Sequence, residues 1–438
     1  MTAIFTGIIC LVCAGIMFYN SGKWYHPAVM FSAFWGAIVI LSRISNIRTF
    51  YYTPSNKVYM FVGLGVIFFC VPFLISRGKQ EATVENAPIL SATEKYDQIN
   101  MRFFMIVVFI CTAYLAYKSL SVIRLLRSGY AMDYIREIYF SSDSDNENSK
   151  SVWETLFNNY IIQPSLTALL PIVVADFFSD RKHKNLIIVG VLLVAMQLLV
   201  SGGRVIIMNL LIMLVISYSI HRKANSKAMT RKTKVFIAFC IVAGLVGYFA
   251  VSNSRKDNFT VNSELYKYFV VPITHMSERI KIFDEMPQHS YGLAFIRGLL
   301  QPINVFLRSA IDFDTPDFFL NATGIGTALQ EPVMVGYGIS IVAFVTLFYY
   351  FYYDFGVIGI ILGCLIYGFL SRVLFDNVRR KGRIRNEAMY LLLASGIFTS
   401  MVRWEFYKSS YLIAFFIIIL LCRGEKYVPK DQPKEQVN

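Results

Sequence analysis

A cation and two glycines interrupt an apolar part of this chain. The stretch SGGR at 201–204 separates two long apolar runs, and no Asp or Glu occurs among the twenty residues before Arg204. Gly202 and Gly203 carry no side chains, so the backbone can turn tightly there and another group can approach closely. A guanidinium beside the first turn of a new helix is well suited to bind an anion, above all phosphate. The stretch therefore predicts an anion site.

Arg204 also has a simpler interpretation. A long cationic side chain at a short turn between membrane helices can extend to the lipid headgroups without any binding site being present. An arginine within or beside a bundle of membrane helices is nevertheless a site hypothesis by default. Both interpretations stay open at the level of sequence.

Further residues with suitable chemistry follow in segment 253–354 and in the stretch MVRWEFYKSS at 401–410. The arginines are candidates for additional phosphate contacts: Arg255, Arg279, Arg297, Arg308 and Arg403. The acids and histidines are candidates for a general base or for contacts to sugar hydroxyls: Glu278, Asp284, Glu331, Asp354, His275 and His289. Taken singly, each arginine is also explained as a solvated charge, and Arg403 as the partner of Glu405 in a surface ion pair.

The rest of the chain is suited to hold these residues at a membrane. Of the 438 residues, 56% are hydrophobic, 16% are aromatic and only 16% are charged. Soluble proteins carry about a quarter charged residues. The composition predicts an all-α polytopic integral membrane protein that forms a single domain over 1–438. The formal charge of +14 is attributed to basic loops, so nucleic acid is not an expected partner.

Long apolar runs predict the membrane-spanning helices, since a spanning helix needs roughly 20 mostly apolar residues. The sequence contains about eleven such runs, which corresponds to ten to twelve spans. They are approximately 3–19, 25–42, 58–76, 101–119, 157–178, 185–200, 205–220, 235–252, 356–375, 387–402 and 408–422.

Charge in the connecting loops predicts their sidedness. Segments 181–184, 221–234 and 372–385 are strongly basic and should face the cytoplasm. Segment 253–354 holds seven Lys and Arg against ten Asp and Glu, so we expect a long extracytoplasmic loop with amphipathic helices there. On this scheme Arg204 lies on the outer side, and residues 423–438 form a cytoplasmic tail.

The N-terminal third gives conflicting signals. Eleven spans with a cytoplasmic tail place the N-terminus outside, whereas loop 43–57 carries Arg43, Arg48 and Lys57 and would prefer the cytoplasm. Segment 121–139 is amphipathic and is expected to lie flat at a membrane interface.

Most other chemistries lack a signature in the sequence. All seven cysteines fall in apolar runs, without metal-ligand spacing or a disulfide framework. No nucleophile elbow, zinc-protease motif or phosphate-binding loop occurs. No metal or other cofactor is therefore expected.

The order of these features resembles that of the bacterial O-antigen and capsular oligosaccharide repeat-unit polymerases (Wzy-type), a family of membrane glycosyltransferases. The similarity covers about 185–422. It comprises SGGR between two spans at the outer face, the long outer loop, and YYDFGVIGIILGCLIYGFL at 352–370, which opens the next span.

This resemblance implies a substrate, a reaction and a location. The substrate is an oligosaccharide repeat unit on undecaprenyl pyrophosphate, and the enzyme joins such units into surface polysaccharide at the outer face of the bacterial cytoplasmic (inner) membrane. It needs no nucleotide sugar and no metal, and its neighbours are a flippase and a chain-length regulator. Arg204 would stabilise the pyrophosphate leaving group, with Gly202, Gly203 and the further arginines binding substrate. Attack by the acceptor hydroxyl with inversion could use Glu331, Asp354, His275 or His289 as a base.

Three alternatives compete with this interpretation. A flippase or other transporter of lipid-linked oligosaccharide would need intramembrane ionisable groups and usually a repeat symmetry, and the sequence shows neither clearly. An O-antigen ligase has the same general architecture, so sequence separates it poorly from a polymerase. A structural membrane protein would leave Arg204 without an explanation.

Overall fold

Helices form nearly all of the structure, as the apolar runs predict. The computed structural model describes residues 1–44, 46–75, 99–130, 152–179, 183, 185–201, 203, 205–221, 266–311, 316–381 and 383–422. The four helices of the N-terminal part are α1 (Thr2–Ser21), α2 (Pro27–Ile44), α3 (Asn56–Leu74) and α4 (Met101–Arg127). Helices α1, α2 and α3 pack against one another.

A second group of helices is interrupted by one turn of π-helix. It consists of α5 (Val152–Phe157), the π turn (Asn158–Ile162), α6 (Gln163–Phe178), α7 (Leu186–Ser201) and α8 (Val205–His221). Residues 152–178 thus form one rod with a local change of pitch. A π turn of this kind is rare and often accompanies a functional site.

The long polar segment contains helices and one hairpin. Its elements are α9 (Val271–Glu285), α10 (Leu293–Ile311), α11 (Asp317–Ala328), β1 (Val333–Gly336) and β2 (Ile339–Ile341). The two strands pair antiparallel. The amphipathic helices were expected from the sequence, whereas the hairpin was not.

The C-terminal helices complete the bundle. They are α12 (Leu347–Lys381), α13 (Ile384–Thr399) and α14 (Ser409–Leu421), with a short 3-10 turn at Glu405–Tyr407 before α14. Helix α12 packs on α3, and α14 packs on α6.

Within the described part of the chain, six helices are long and apolar enough to cross a membrane: Thr2–Ser21, Pro27–Ile44, Asn56–Leu74, Met101–Arg127, Trp153–Phe178 and Leu347–Arg379. Three shorter apolar helices are Leu186–Ser201, Val205–His221 and Ser409–Leu421. The predicted class, a helical membrane protein, is confirmed, and the count of eleven spans stays a prediction. Run 235–252 lies outside the described residues, as does the tail 423–438.

The described helices place their ends at two opposite poles. At one pole the ring of Phe178 stacks on His221, and the His221 ring contacts Glu387 at 2.8 Å. These residues border the three basic loops, so we call this the basic pole. Helices α9 to α11, the hairpin and the 3-10 turn lie at the other pole, which we call the loop pole. Which of the two poles faces the cytoplasm stays a prediction.

The described part of loop 43–57 lies at the loop pole, although its cations Arg43, Arg48 and Lys57 favour the basic one. The backbone N–H of Ser55 donates to Ser277 of α9, and Lys57 forms an ion pair with Asp284 at 2.5 Å. Arg43 lies over the ring of Tyr59. These local partners offset the charges, which explains why loop charge alone pointed the other way.

Two other expectations need correction. Residues 348–353 were counted with the polar segment 253–354, but all six side chains are at most 8% exposed and lie within α12. The polar segment therefore ends at about 346, not at 354. The amphipathic stretch 121–139 was expected to lie flat, but its first part to Arg127 continues α4.

Candidate functional site

Two cations flank one carboxylate at the loop pole, and a third cation lies nearby. Arg403 Nε lies 3.6 Å and Lys408 Nζ lies 3.8 Å from the carboxylate of Glu405. The guanidinium of Arg297 lies within electrostatic range of Tyr350, as do Arg403 and Glu405. We call Arg297, Arg403, Glu405 and Lys408 the cation cluster. Its excess of positive charge suits it to bind an anion.

Close packing of backbones brings Arg297 to this place. A Cβ atom on Gly298 would lie 2.4 Å from the carbonyl oxygen of Phe406 and 2.7 Å from that of Lys408, so only glycine fits there. Trp404 reinforces the contact by donating its indole N–H to the carbonyl of Phe295. Helix α10 is therefore fixed against the 403–408 stretch, with Arg297 beside it.

The guanidinium of Arg297 has few partners in the protein. Its Nε is buried without a hydrogen-bond acceptor, and its Nη1 makes only a long 3.5 Å contact with the carbonyl of Tyr407. The group lies 4.3 Å from the Tyr407 ring centroid, a cation–π distance. A guanidinium offers five N–H donors in a planar fork that matches phosphate. Among the described residues Arg297 thus has fewer hydrogen-bond partners than its five donors allow.

Tyr407 links the elements around the cluster. Its hydroxyl accepts the N–H of Gly326 at 3.0 Å and donates to the carbonyl of Ala322 at 3.2 Å, both in α11. Its ring lies 5.0 Å from that of Tyr350 in α12. A buried tyrosine with both ends engaged makes a rigid platform beneath Arg297.

The end of α7 and the start of α8 lie at the same pole. Gly202 and Arg204, between these two helices, are outside the described residues. The hydroxyl of Ser201 donates to the carbonyl of Gln197 and accepts the N–H of Gly203. One helical turn below, Gln197 donates to Gln163 at the end of the π turn.

The π turn brings this region towards the cation cluster. Its Tyr160 lies within electrostatic range of Arg297. The turn also contacts α14. The cation cluster and the end of α7 are therefore connected through the π turn and α14, which also contacts α10 and the 3-10 turn.

Arg279 and His275 belong to a separate, structural cluster. Arg279 is 3% exposed; its Nε donates to His275 Nε2 at 3.0 Å and its Nη2 donates to the carbonyl of Glu331 at 2.6 Å. His275 Nδ1 lies 2.6 Å from the carbonyl of Phe344, so this nitrogen carries the proton and the ring is neutral. Both side chains hold the hairpin segment, which argues against the phosphate-binding and base roles suggested by sequence.

His275 predicts a specific dependence of stability on pH. Burial, opposed by the Phe344 contact and aided by Arg279, lowers the pKa of His275 from 6.5 to about 4. As the pH is lowered below 6.5, His275 is protonated in the unfolded chain but stays neutral in the folded protein. The free energy of unfolding therefore falls as the pH drops from 6.5 to 4, by about 3 kcal/mol in total. We expect His275→Asn to melt with a shallower dependence on pH than the parent in detergent micelles. Parallel curves would contradict this assignment.

Asp354 caps the first turn of α10 from another helix. Its Oδ1 accepts the hydroxyl of Ser290 at 2.5 Å and the backbone N–H groups of Gly292 and Ala294 at 3.0 and 2.9 Å. Its Oδ2 accepts the N–H of Phe295 at 2.9 Å. The residue is 2% exposed. With its oxygens so occupied, Asp354 is a capping residue, which argues against the general-base role suggested by sequence.

A break in α12 positions the carboxylate of Asp354 against α10. Phe355 and Gly356 have non-helical backbone angles, and Gly356 has φ of 61° and ψ of −136°. This conformation is nearly restricted to glycine. The DFG stretch therefore works as a helix break that points Asp354 at α10.

The remaining candidates are scattered. Arg308 and Glu331 are exposed, and Arg255 lies outside the described residues. His289 contacts the carbonyl of Tyr353 at 3.2 Å. Within the described ranges, no group of three His, Cys, Asp or Glu side chains could hold a metal ion.

The chain shows no detectable relationship to known proteins in any of three comparisons. No protein-family model matches it, and neither a curated protein nor a solved structure is significantly similar.

Proposed function

We propose that this protein is a membrane glycosyltransferase that polymerises undecaprenyl-pyrophosphate-linked oligosaccharide repeat units into surface polysaccharide. The observation that carries the proposal is the cation cluster, in which Arg297 retains unfilled donors at one pole of an apolar helical bundle. A lipid pyrophosphate combines an anionic group with a long apolar chain. The cation cluster is suited to bind the anionic group, and the apolar helices are suited to contact the chain.

The chemistry follows from the leaving group. As the glycosidic bond to pyrophosphate breaks, negative charge grows on the departing oxygen, and fixed guanidinium groups stabilise that charge. Arg204 and Arg297 take this role, with Arg403 and Lys408 holding the second phosphate. Glu405 keeps Arg403 and Lys408 in place through its two ion pairs.

The acceptor hydroxyl attacks the anomeric carbon from the opposite face, so the configuration inverts. A pyrophosphate is a good leaving group, which lowers the need for a strong base. Asp354 and His275 are engaged elsewhere. The proposal therefore assigns most of the rate to charge stabilisation and orientation.

The setting of the reaction is part of the proposal. The loop pole faces the outside of a bacterial cytoplasmic membrane, where a flippase supplies lipid-linked repeat units and a chain-length regulator acts on the same product. The basic residues at the opposite pole favour this orientation.

Transport of a lipid-linked oligosaccharide is the second candidate function. It is favoured by one observation: Glu387 is 5% exposed between helices and accepts hydrogen bonds from Ser217 and His221. Buried ionisable groups of this kind occur in proton-coupled transporters.

The test is the surface polysaccharide of cells that lack the protein. Deletion should abolish the ladder of glycan lengths on a gel while single repeat units persist, and Arg204→Ala at matched membrane levels should fail to restore it. Arg204→Lys should also fail if two guanidinium contacts are needed. An unchanged ladder after deletion refutes the proposal, whereas loss of all surface units favours transport and loss of glycan attachment alone favours a ligase.

A further inference from the structure

Three amide side chains meet inside the bundle next to the cation cluster. Gln163 Nε2 donates to Asn158 Oδ1 at 3.4 Å, and Gln197 Nε2 donates to Gln163 Oε1 at 3.4 Å. Asn158 and Gln163 are five residues apart, and the π turn aligns positions with this spacing on one face. We call Asn158, Gln163 and Gln197 the amide ladder.

Apart from the 3.2 Å bond that Asn158 donates to the exposed Asn159, the long ladder bonds leave these amides poorly satisfied. Good N–H···O hydrogen bonds measure about 2.7–3.2 Å, and each amide offers two donors and an acceptor. Polar groups left unpaired in hydrocarbon cost several kcal/mol each, roughly, and are therefore avoided there. The amides must face water or a polar ligand.

The burial of α7 shows that the ladder does not face lipid. Ile188 and Leu192 are 62% and 52% exposed, so they mark the outer face of α7. Leu193 and Val194, one turn before Gln197 on its own side, are 4% and 8% exposed. Gln197 thus points into the bundle, yet it is only half-buried. This combination indicates an open space between the helices.

Two polar groups on the elements at this pole have no hydrogen-bond partner among the described residues. The Nε of Arg297 is buried and unpaired, as is Oδ1 of Asn209, which stands one turn inside α8 after Arg204. Tyr160 of the π turn is half-buried and lies within electrostatic range of Arg297. The π turn contacts α14, which also contacts α10 and the 3-10 turn, so the ladder lies near the cation cluster.

We propose that the amide ladder lines a water-filled cleft that binds the uncharged hydroxyl groups of an oligosaccharide, adjoining the cation cluster that holds its anionic end. Amides are suited to this task because each can donate to one hydroxyl and accept from the next, and Tyr160 offers a ring on which a sugar can stack. The carbohydrate part of this inference rests on the proposed function; the cleft itself does not.

The cleft is tested by thiol chemistry that is independent of activity. Gln197→Cys and the control Leu192→Cys are reacted in native membranes with a charged methanethiosulfonate, which attacks only thiolates in contact with water. The parent protein, with its seven native cysteines, sets the background. We expect Gln197→Cys to react at least about tenfold faster than Leu192→Cys, since thiols ionise far more readily in water than in lipid. Equal, slow rates overturn the cleft.

The ligand class is tested by kinetics with a defined substrate. Lipid-linked repeat units extracted from the deletion strain are offered to membrane vesicles holding Gln163→Leu or Gln197→Leu. We expect KM to rise about 3- to 10-fold with little change in kcat, the size of one lost neutral hydrogen bond. Unchanged KM in a reactive cleft overturns carbohydrate binding there. If the parent protein elongates nothing while Gln197→Cys still reacts, the proposed function fails and with it the carbohydrate assignment, but not the cleft.

Discussion

Arg297→Ala is expected to lower the rate of glycan elongation about 100- to 1000-fold in membrane vesicles. A loss of this size is usual when one fixed hydrogen-bond donor that stabilises a developing negative charge is removed. Arg297 is chosen because its guanidinium is held against Tyr407 while most of its donors lack protein acceptors. The measurement is the initial rate of products longer than one unit, from lipid-linked repeat units of the deletion strain.

The control for the Arg297 variant is the removal of another cation at the loop pole, one that does not belong to the cation cluster. Lys281 is 60% exposed and pairs with Glu278 on its own helix. Lys281→Ala should therefore change the elongation rate by less than about twofold, because exposed ion pairs contribute little. Equal losses in both variants would mean that general surface charge matters and that Arg297 has no special position.

Arg297→Lys separates charge from geometry. A lysine keeps the positive charge but loses the planar fork and the favourable stacking on Tyr407. We expect it to recover only a small part of the rate, with kcat affected more than KM, since the lost contact strengthens as the bond breaks. Full recovery would show that a point charge is sufficient.

Much of the helical architecture could be predicted from the sequence, because apolar runs in a membrane protein nearly determine the helices. Apart from 235–252, each predicted run coincides with a helix of the described chain. The clustering of Arg297 with Arg403 could not be predicted, because it depends on a backbone contact between Gly298 and Phe406. Gly298 is evident in the sequence, but no sequence feature indicates that the backbone of Phe406 packs against it.

The roles of individual polar residues were harder to predict than the helices. Arg279 and Arg297 look equivalent in the sequence, yet one is satisfied by His275 and the other retains unfilled donors. The amide ladder could not be predicted from the sequence, because Asn158 and Gln163 share a face only in a π turn. With the α-helical period, two residues five positions apart are expected on different faces. The role of each of these polar residues depends on its tertiary contacts, and a single sequence does not show which residues come into contact.

Asp354→Ala is expected to destabilise the protein by about 3 kcal/mol and to detach the start of α10. The substitution leaves the Ser290 hydroxyl and three backbone N–H groups without their acceptor in a buried place, and each such loss is costly. Ordinary helix caps are worth about 0.5–2 kcal/mol, and this one has four bonds. Glu285→Gln, an exposed carboxylate at the end of α9, serves as the control and should change stability by less than about 0.5 kcal/mol.

Hydrogen exchange locates the effect of Asp354→Ala. Amides in the peptide covering 290–297 should exchange faster in the variant, while those of α1 and α2 keep their protection, because the lost acceptor serves only the first turn of α10. Arg297 directly follows that turn, so elongation should also fall, although Asp354 contacts no substrate. Unchanged exchange at 290–297 together with lost activity would contradict the capping role and return Asp354 to consideration as a base. Faster exchange with elongation lost would instead identify it as a positioning residue, whose carboxylate acts on the reaction only through the place of Arg297.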